Sequence, residues 1–262
     1  MPSLTIPPSL LVALPAILAL ASPASLNAAV VSATAFNFVT AQAAAINTAD
    51  LESIEISGIT YSDLIVPDAY TNIDLTGAAE LRLNTAGQGV TPASGTWETQ
   101  ALDAFASRNL NHYQQLDAGN FNATWRLSYG SGGIAADASL FLVVTERNGN
   151  NPFIIEAFDA DDNSLGVLSV PVTDYTPTGA TSLSTSRLET ESINAVIYEL
   201  SDLVAPGSAN LAYIEITNNF NIIDGGDGKV FFFGDASTVP EPSSGLLGMV
   251  GALGLLRRKR RA

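Results

Sequence analysis

From residue 51 onward the chain alternates apolar and polar positions in short runs. Leu51, Ile54, Ile56 and Ile59 interleave with Glu52, Ser53, Glu55 and Ser57, the period near two of a strand with one buried face. Further strands are predicted over 123–129, 139–147, 153–159, 165–172, 193–200, 211–217 and 229–234. Turn-forming clusters separate them: Gly130-Ser131-Gly132-Gly133, Asn148-Gly149-Asn150-Asn151-Pro152, residues 159–164, and Asp224-Gly225-Gly226-Asp227-Gly228. Segment 97–116 carries Trp97, Leu102, Phe105 and Leu110 with few turn residues, which predicts a helix or a long loop across one end of the domain. Segment 173–187, rich in Thr and Ser and holding Pro177, predicts a long surface loop. The rhythm is that of an all-β, antiparallel β-sandwich or jelly roll, in one domain over residues 50–235.

The two ends have different patterns. Residues 10–20 form an eleven-residue apolar run followed by small residues to Ala29, the core and cleavage region of a secretory signal peptide, here residues 1–29. Met1 to Ser9 departs from the usual form, because it has no Lys or Arg and holds Pro7 and Pro8. Cleavage is expected between Ala24 and Ala33, where Val31-Ser32-Ala33 offers small residues at the two decisive positions, and the small-residue stretch 41–48 closes the export region. At the other end stand Pro240-Glu241-Pro242, an apolar stretch over 243–256, and Arg257-Arg258-Lys259-Arg260-Arg261. Those fourteen apolar-stretch residues reach only about 21 Å as a helix, against a hydrocarbon core of about 30 Å. The stretch therefore reads as a short transmembrane sorting helix, with the cationic cluster holding it from the cytoplasmic side.

Composition changes the picture at one point. The formal net charge is −15, but five of the eleven basic residues lie in the tail. Without them the body carries a net charge of about −20, which repels nucleic acid and anionic lipid. There is no cysteine, which excludes disulfides, thiolate nucleophiles and Cys-ligated metal centres. The fold must rest on its core, with calcium as the one cofactor the acidic turns suggest.

The ordered tail closely resembles the PEP-CTERM sorting signal of Gram-negative bacteria, over residues 239–262. The resemblance implies that Pro240, Glu241 and Pro242 are a motif read by a membrane-embedded exosortase. It implies that 243–256 is a temporary anchor in the inner membrane, and that Arg257, Arg258, Lys259, Arg260 and Arg261 are its stop-transfer cluster. The implied destination is the cell surface or extracellular matrix, in association with exopolysaccharide and biofilm. A plain tail anchor is the alternative. The strand rhythm of the body also resembles jelly-roll, lectin-like domains, an analogy of fold alone.

Candidate chemistry in the body is sparse. Asp159, Asp161 and Asn163 place oxygen ligands at alternate positions, as calcium loops do, and Asp224 and Asp227 form a second acidic turn. The loop pattern then breaks, because Gly166 is two residues late and Val170 stands where a bidentate Glu belongs, so a hairpin turn competes with the metal reading. Trp97, Tyr113, Trp125 and Tyr129 could stack on sugar or could fill the core; Trp125 and Tyr129 should share one face of a strand. His112 is the only histidine, its neighbours predict a polar surface position, and no Gly-x-Ser-x-Gly motif accompanies it. Glu98, Asp103, Glu146 and Glu156 are undistinguished carboxylates for glycoside chemistry. The expectation is a non-enzymatic exported protein with polysaccharide as partner. A secreted glycan-active hydrolase and a passive adhesin or scaffold without glycan affinity are the alternatives.

Overall fold

The computed structural model describes residues 28–39, 49–75, 79–83, 89–90, 96–116, 122–136, 138–183, 190–219 and 227–234. The secretory core, the stretch 41–48, Asp224 and the sorting tail lie outside the described residues. Among those described, the strands in chain order are β1 (Ala33–Phe38), β2 (Leu51–Ile56), β3 (Ile59–Tyr61), β4 (Asp63–Ile65), β5 (Ala69–Leu75), β6 (Ala79–Leu83) and β7 (Gly89–Val90). Helix α1 (Trp97–Ala106) follows, then β8 (His112–Leu116), β9 (Asn122–Ser128), β10 (Leu140–Arg147), β11 (Phe153–Phe158) and β12 (Ser164–Val170). The series ends with β13 (Thr176–Leu183), β14 (Thr190–Glu199), β15 (Tyr213–Asn219) and β16 (Gly228–Gly234). All described strand pairs are antiparallel.

These strands make three sheets. A five-stranded sheet has the order β12-β11-β15-β9-β5, and an eight-stranded sheet runs β13-β14-β10-β16-β8-β6-β7 with β4 also on β16. A small third sheet, β1-β2-β3, is closed by a two-residue turn at Ser57-Gly58, whose φ values of 53° and 80° match a hairpin turn of the mirror-image class. That turn carries Ile59 out of the buried set it was expected to join, and it is half exposed.

The main core lies between the five- and eight-stranded sheets. Leu140, Leu142 and Val144 of β10, Val196 and Tyr198 of β14, and Val230 and Phe232 of β16 meet Trp125, Ile155, Leu168, Ile214 and Ile216 from the other sheet. The intervening residues of the same strands do not face water. Val143, Ile193, Ala195, Ile197, Phe231 and Phe233 pack against Leu51, Ile54 and Ile56 of β2, with Phe36 and Phe38 of β1 at the margin. The fold is thus a sandwich with a third layer, and its middle sheet is buried on both faces. Antiparallel sheets usually leave one face wet, so β10 and β16 read as near-continuous apolar runs for a reason that lies in the packing.

Segment 173–187 was expected to be a loop, and its described part is mostly strand. Strand β13 closes one edge of the eight-stranded sheet, where Pro177 is tolerated because an edge position does not need its missing N–H. Thr178 Oγ1 donates to the Ile193 carbonyl at 2.7 Å, so its hydroxyl serves the sheet. Segment 97–116 resolves into α1, which buries Trp97, Ala101, Ala104 and Phe105 on one helical face, followed by β8. Strand β1 precedes residue 50 and belongs to the folded body through its pairing with β2.

Candidate functional site

The four aromatics offered for sugar stacking are all core residues. Trp97, Tyr113, Trp125 and Tyr129 are each at most 4% exposed. Trp125 and Tyr129 do share a face, and it is the inner one. Trp125 packs edge-on to Phe153 with ring centroids 6.4 Å apart, and Tyr129 packs edge-on to Phe232 at 5.3 Å. Trp97 Nε1 donates to Tyr70 Oη at 3.4 Å, and the Tyr70 hydroxyl in turn donates to Gln114 Oε1 at 2.7 Å. A sugar platform needs a ring face open to solvent, and none of these rings presents one.

The acidic turns are built as turns. Asp159 Oδ1 accepts from the Asp161 and Asn163 amides at 2.9 Å each, and the Asn163 side-chain amide donates to Oδ2, also at 2.9 Å. These donors, Asn163's side chain first, hold the Asp159 carboxyl below the usual range. Asp162 takes φ 61° and accepts the Tyr213 hydroxyl at 2.7 Å, and Asp161 is exposed. The loop is a hairpin link between β11 and β12, and the Asp159 carboxylate is engaged by donors within it. Asp227 Oδ2 accepts from Arg147 Nη1 at 3.1 Å, and Arg147 also pairs with Glu191, so the described half of the second turn answers a guanidinium. Among the described residues no group of three or more His, Cys, Asp or Glu could hold a metal ion.

The carboxylates considered for hydrolysis lie on three elements. Glu98 and Asp103 lie on α1, Glu156 stands opposite Glu215 on the five-stranded sheet, and Glu146 is buried at the end of β10. Glu146 accepts from the Asn150 amide at 3.0 Å and from Asn151 Nδ2 at 3.0 Å. Its burial outweighs these bonds and pushes the carboxyl up to about 7.

Among the described residues, a dense polar cluster sits at the end of α1, where sequence reasoning placed only a surface His112. Lys229, in the middle sheet, is 1% exposed. Its ammonium donates to the Ala104 carbonyl at 2.8 Å, to the Ser107 carbonyl, to Ser107 Oγ at 3.3 Å and to the Asn109 carbonyl at 3.4 Å. His112, expected at the surface, is half-buried with Nδ1 2.8 Å from Ser107 Oγ. Burial pushes Lys229 down to about 7; burial and then the Lys229 charge push His112 down to about 4. Ser, His and Lys in one hydrogen-bonded set are the residue types of an activated nucleophile. Here, however, the lysine protons go to carbonyls at a helix C-terminus, and Ser107 Oγ accepts from the Asn109 amide at 3.3 Å and lies 3.2 Å from the Ala104 carbonyl. The lysine amine caps the free carbonyls at the end of α1 and ties the helix to β16. The sequence signal for it is the single lysine in the body, set in the otherwise apolar run Val230-Phe231-Phe232-Phe233.

One surface cluster stands on the outer face of the five-stranded sheet. The Arg126 guanidinium lies 3.7 Å from the centroid of Tyr213, pairs with Glu215 at 2.7 Å, and Tyr213 stacks on Phe158 with centroids 4.8 Å apart.

Residues 238–261 match the family model of the PEP-CTERM protein-sorting motif. No curated protein and no solved structure matches the chain. The motif marks an exported protein that exosortase sorts towards the cell surface, joined here to a mostly β body.

Proposed function

We propose that this chain is a non-catalytic component of the cell surface or extracellular matrix, delivered through the inner membrane and retained among exopolysaccharide in a biofilm. The observation that supports it is the three-part tail: Pro240-Glu241-Pro242, an apolar stretch too short for a comfortable permanent span, and five consecutive basic residues. Removal of that tail leaves a strongly acidic, cysteine-free body suited to a hydrated matrix. Mass spectrometry of the mature protein from its own host tests the processing step. A C-terminus upstream of Arg257 is expected, and an intact Arg257 to Arg261 cluster would sink it.

The burial of Trp97, Tyr113, Trp125 and Tyr129 favours the passive scaffold over a glycan-binding module. A glycan array with and without calcium separates the two. No binding in either condition is the scaffold outcome, and calcium-dependent binding restores the lectin-like reading. A secreted glycan hydrolase would show turnover of host exopolysaccharide that is lost when one carboxylate pair is replaced.

A further inference from the structure

The folded body begins earlier than the export signal suggests. The Val31 amide donates to the Ile197 carbonyl at 2.8 Å. Ile197 lies on β14 beyond Ala195, the last position at which β13 is paired with that strand, so residue 31 supplies the edge partner that β13 does not. Ala28 packs on the main core, and Val31 and Ala33 pack on the second one. Ala33 is paired with Ile56 as the first residue of β1. The same segment forms one wall of a groove of about 530 Å³, whose other walls are residues 176–179 of β13 and 195–197 of β14. Residues 28–33 are therefore part of the fold.

Resting on the secretory reading of the amino-terminal segment, we infer that the signal-cleavage bond lies between Ala24 and Val30, and that Val31-Ser32-Ala33 is a structural element of the mature protein. The reaction is hydrolysis of one peptide bond, with hydroxyl going to the new carboxyl terminus and the proton to the new amine. The sequence offers Val31 and Ala33 as the small residues that signal peptidase accepts. A cut after Ala33 would remove the amide that satisfies Ile197, withdraw two apolar side chains from the margin of the second core, and take the first residue of β1 from its pairing with Ile56. A cut upstream leaves all of these contacts intact.

The test is the amino terminus of the full-length protein after export by its own host, read by mass spectrometry. A mature chain starting at a residue from Ser25 to Val30 supports the inference, and one starting from Pro2 to Ala24, or at Val31 or later, overturns it. Retention of Met1 through Asn27 instead sinks the secretory reading, and the inference falls with it. Ala33→Leu supplies a second arm, because a bulky residue abolishes cleavage after position 33. Unchanged processing of A33L is expected, and blocked or displaced processing overturns the inference even if the variant folds less well.

Discussion

The middle sheet and the five-stranded sheet are both antiparallel, yet they obey different rules of burial. In the five-stranded sheet Ile155 is fully buried while its neighbour Ile154 is 42% exposed. In the middle sheet Phe231 and Phe232 are both at most 1% exposed. The difference is the three-stranded sheet, whose β2 covers the face that would otherwise be wet. An alternating pattern therefore marks a strand with one neighbour layer, and its loss marks a strand with two. The contrast extends to charge. Arg126 and Glu215 on the five-stranded sheet remain partly in solvent, whereas Glu146 and Lys229 on β10 and β16 are sealed.

Substitution at consecutive positions gives the hardest test of this contrast. Phe231→Ala and Phe232→Ala should each cost about 3–5 kcal/mol in urea unfolding. Ile155→Ala should cost about 2–5 kcal/mol and Ile154→Ala well under 1 kcal/mol, roughly a surface value. A cheap Phe231→Ala would mean that the third layer contributes little.

Close backbone approach comes next in size. A Cβ on Gly228 would lie 2.4 Å from the Thr145 carbonyl oxygen, and one on Gly166 would lie 2.1 Å from that of Leu203. Each Gly→Ala change should cost about 1–3 kcal/mol through forced backbone shifts. Thermal melts that leave both variants unchanged would show that these contacts yield easily.

The sealed charges predict a pH response of stability. Lys229 falls from an ordinary 10.5 to about 7, so between those values the unfolded chain holds a proton that the folded one has lost. Stability then rises with pH across that window, by at most about 1.4 kcal/mol per pH unit. Glu146 rises from an ordinary 4.5 to about 7, so the folded chain holds the extra proton and stability falls as pH climbs between them. His112, lowered from 6.5 to about 4, works against Glu146 over most of that range. In unfolding curves from pH 4 to 10, Lys229→Met should flatten the alkaline rise, and Glu146→Gln should uncover the rise with pH that His112 contributes on the acid side. An unaltered slope in K229M would show that the ammonium is not the titrating group.

The smallest effect belongs to the wet face. Arg126→Met removes a partly exposed ion pair and a guanidinium stacked on Tyr213, and should cost about 0.5–1.5 kcal/mol. That cost should shrink in molar salt, whereas the Phe231→Ala cost should not.

Much of the strand inventory was legible from residue 123 onward, because each strand there lies between turn clusters rich in Gly, Asn and Asp. The short strands β3, β4, β6 and β7 were not, since runs of two to five residues such as Asp63–Ile65 hold too few alternations to register a period, and β5 was missed because Thr71, Asn72 and Asp74 break up its apolar positions. Strand β13 was misread as loop because Thr, Ser and Pro are common to both edge strands and surface loops. Trp125 and Tyr129 were correctly placed on one face, but whether that face meets water or another sheet is not written in their spacing.

The sorting tail could be read in the chain alone, since the order of Pro-Glu-Pro, apolar stretch and basic cluster is local and linear, and so could about half of the strands, since alternation is a property of neighbours in the chain. Three outcomes needed the packed fold: which strands are covered twice, that Lys229 caps a helix more than 120 residues away, and that residues 28–33 belong to the body. Those outcomes depend on which surfaces meet across long sequence separations. A period of two names the residues that share a face; only packing determines what lies against it.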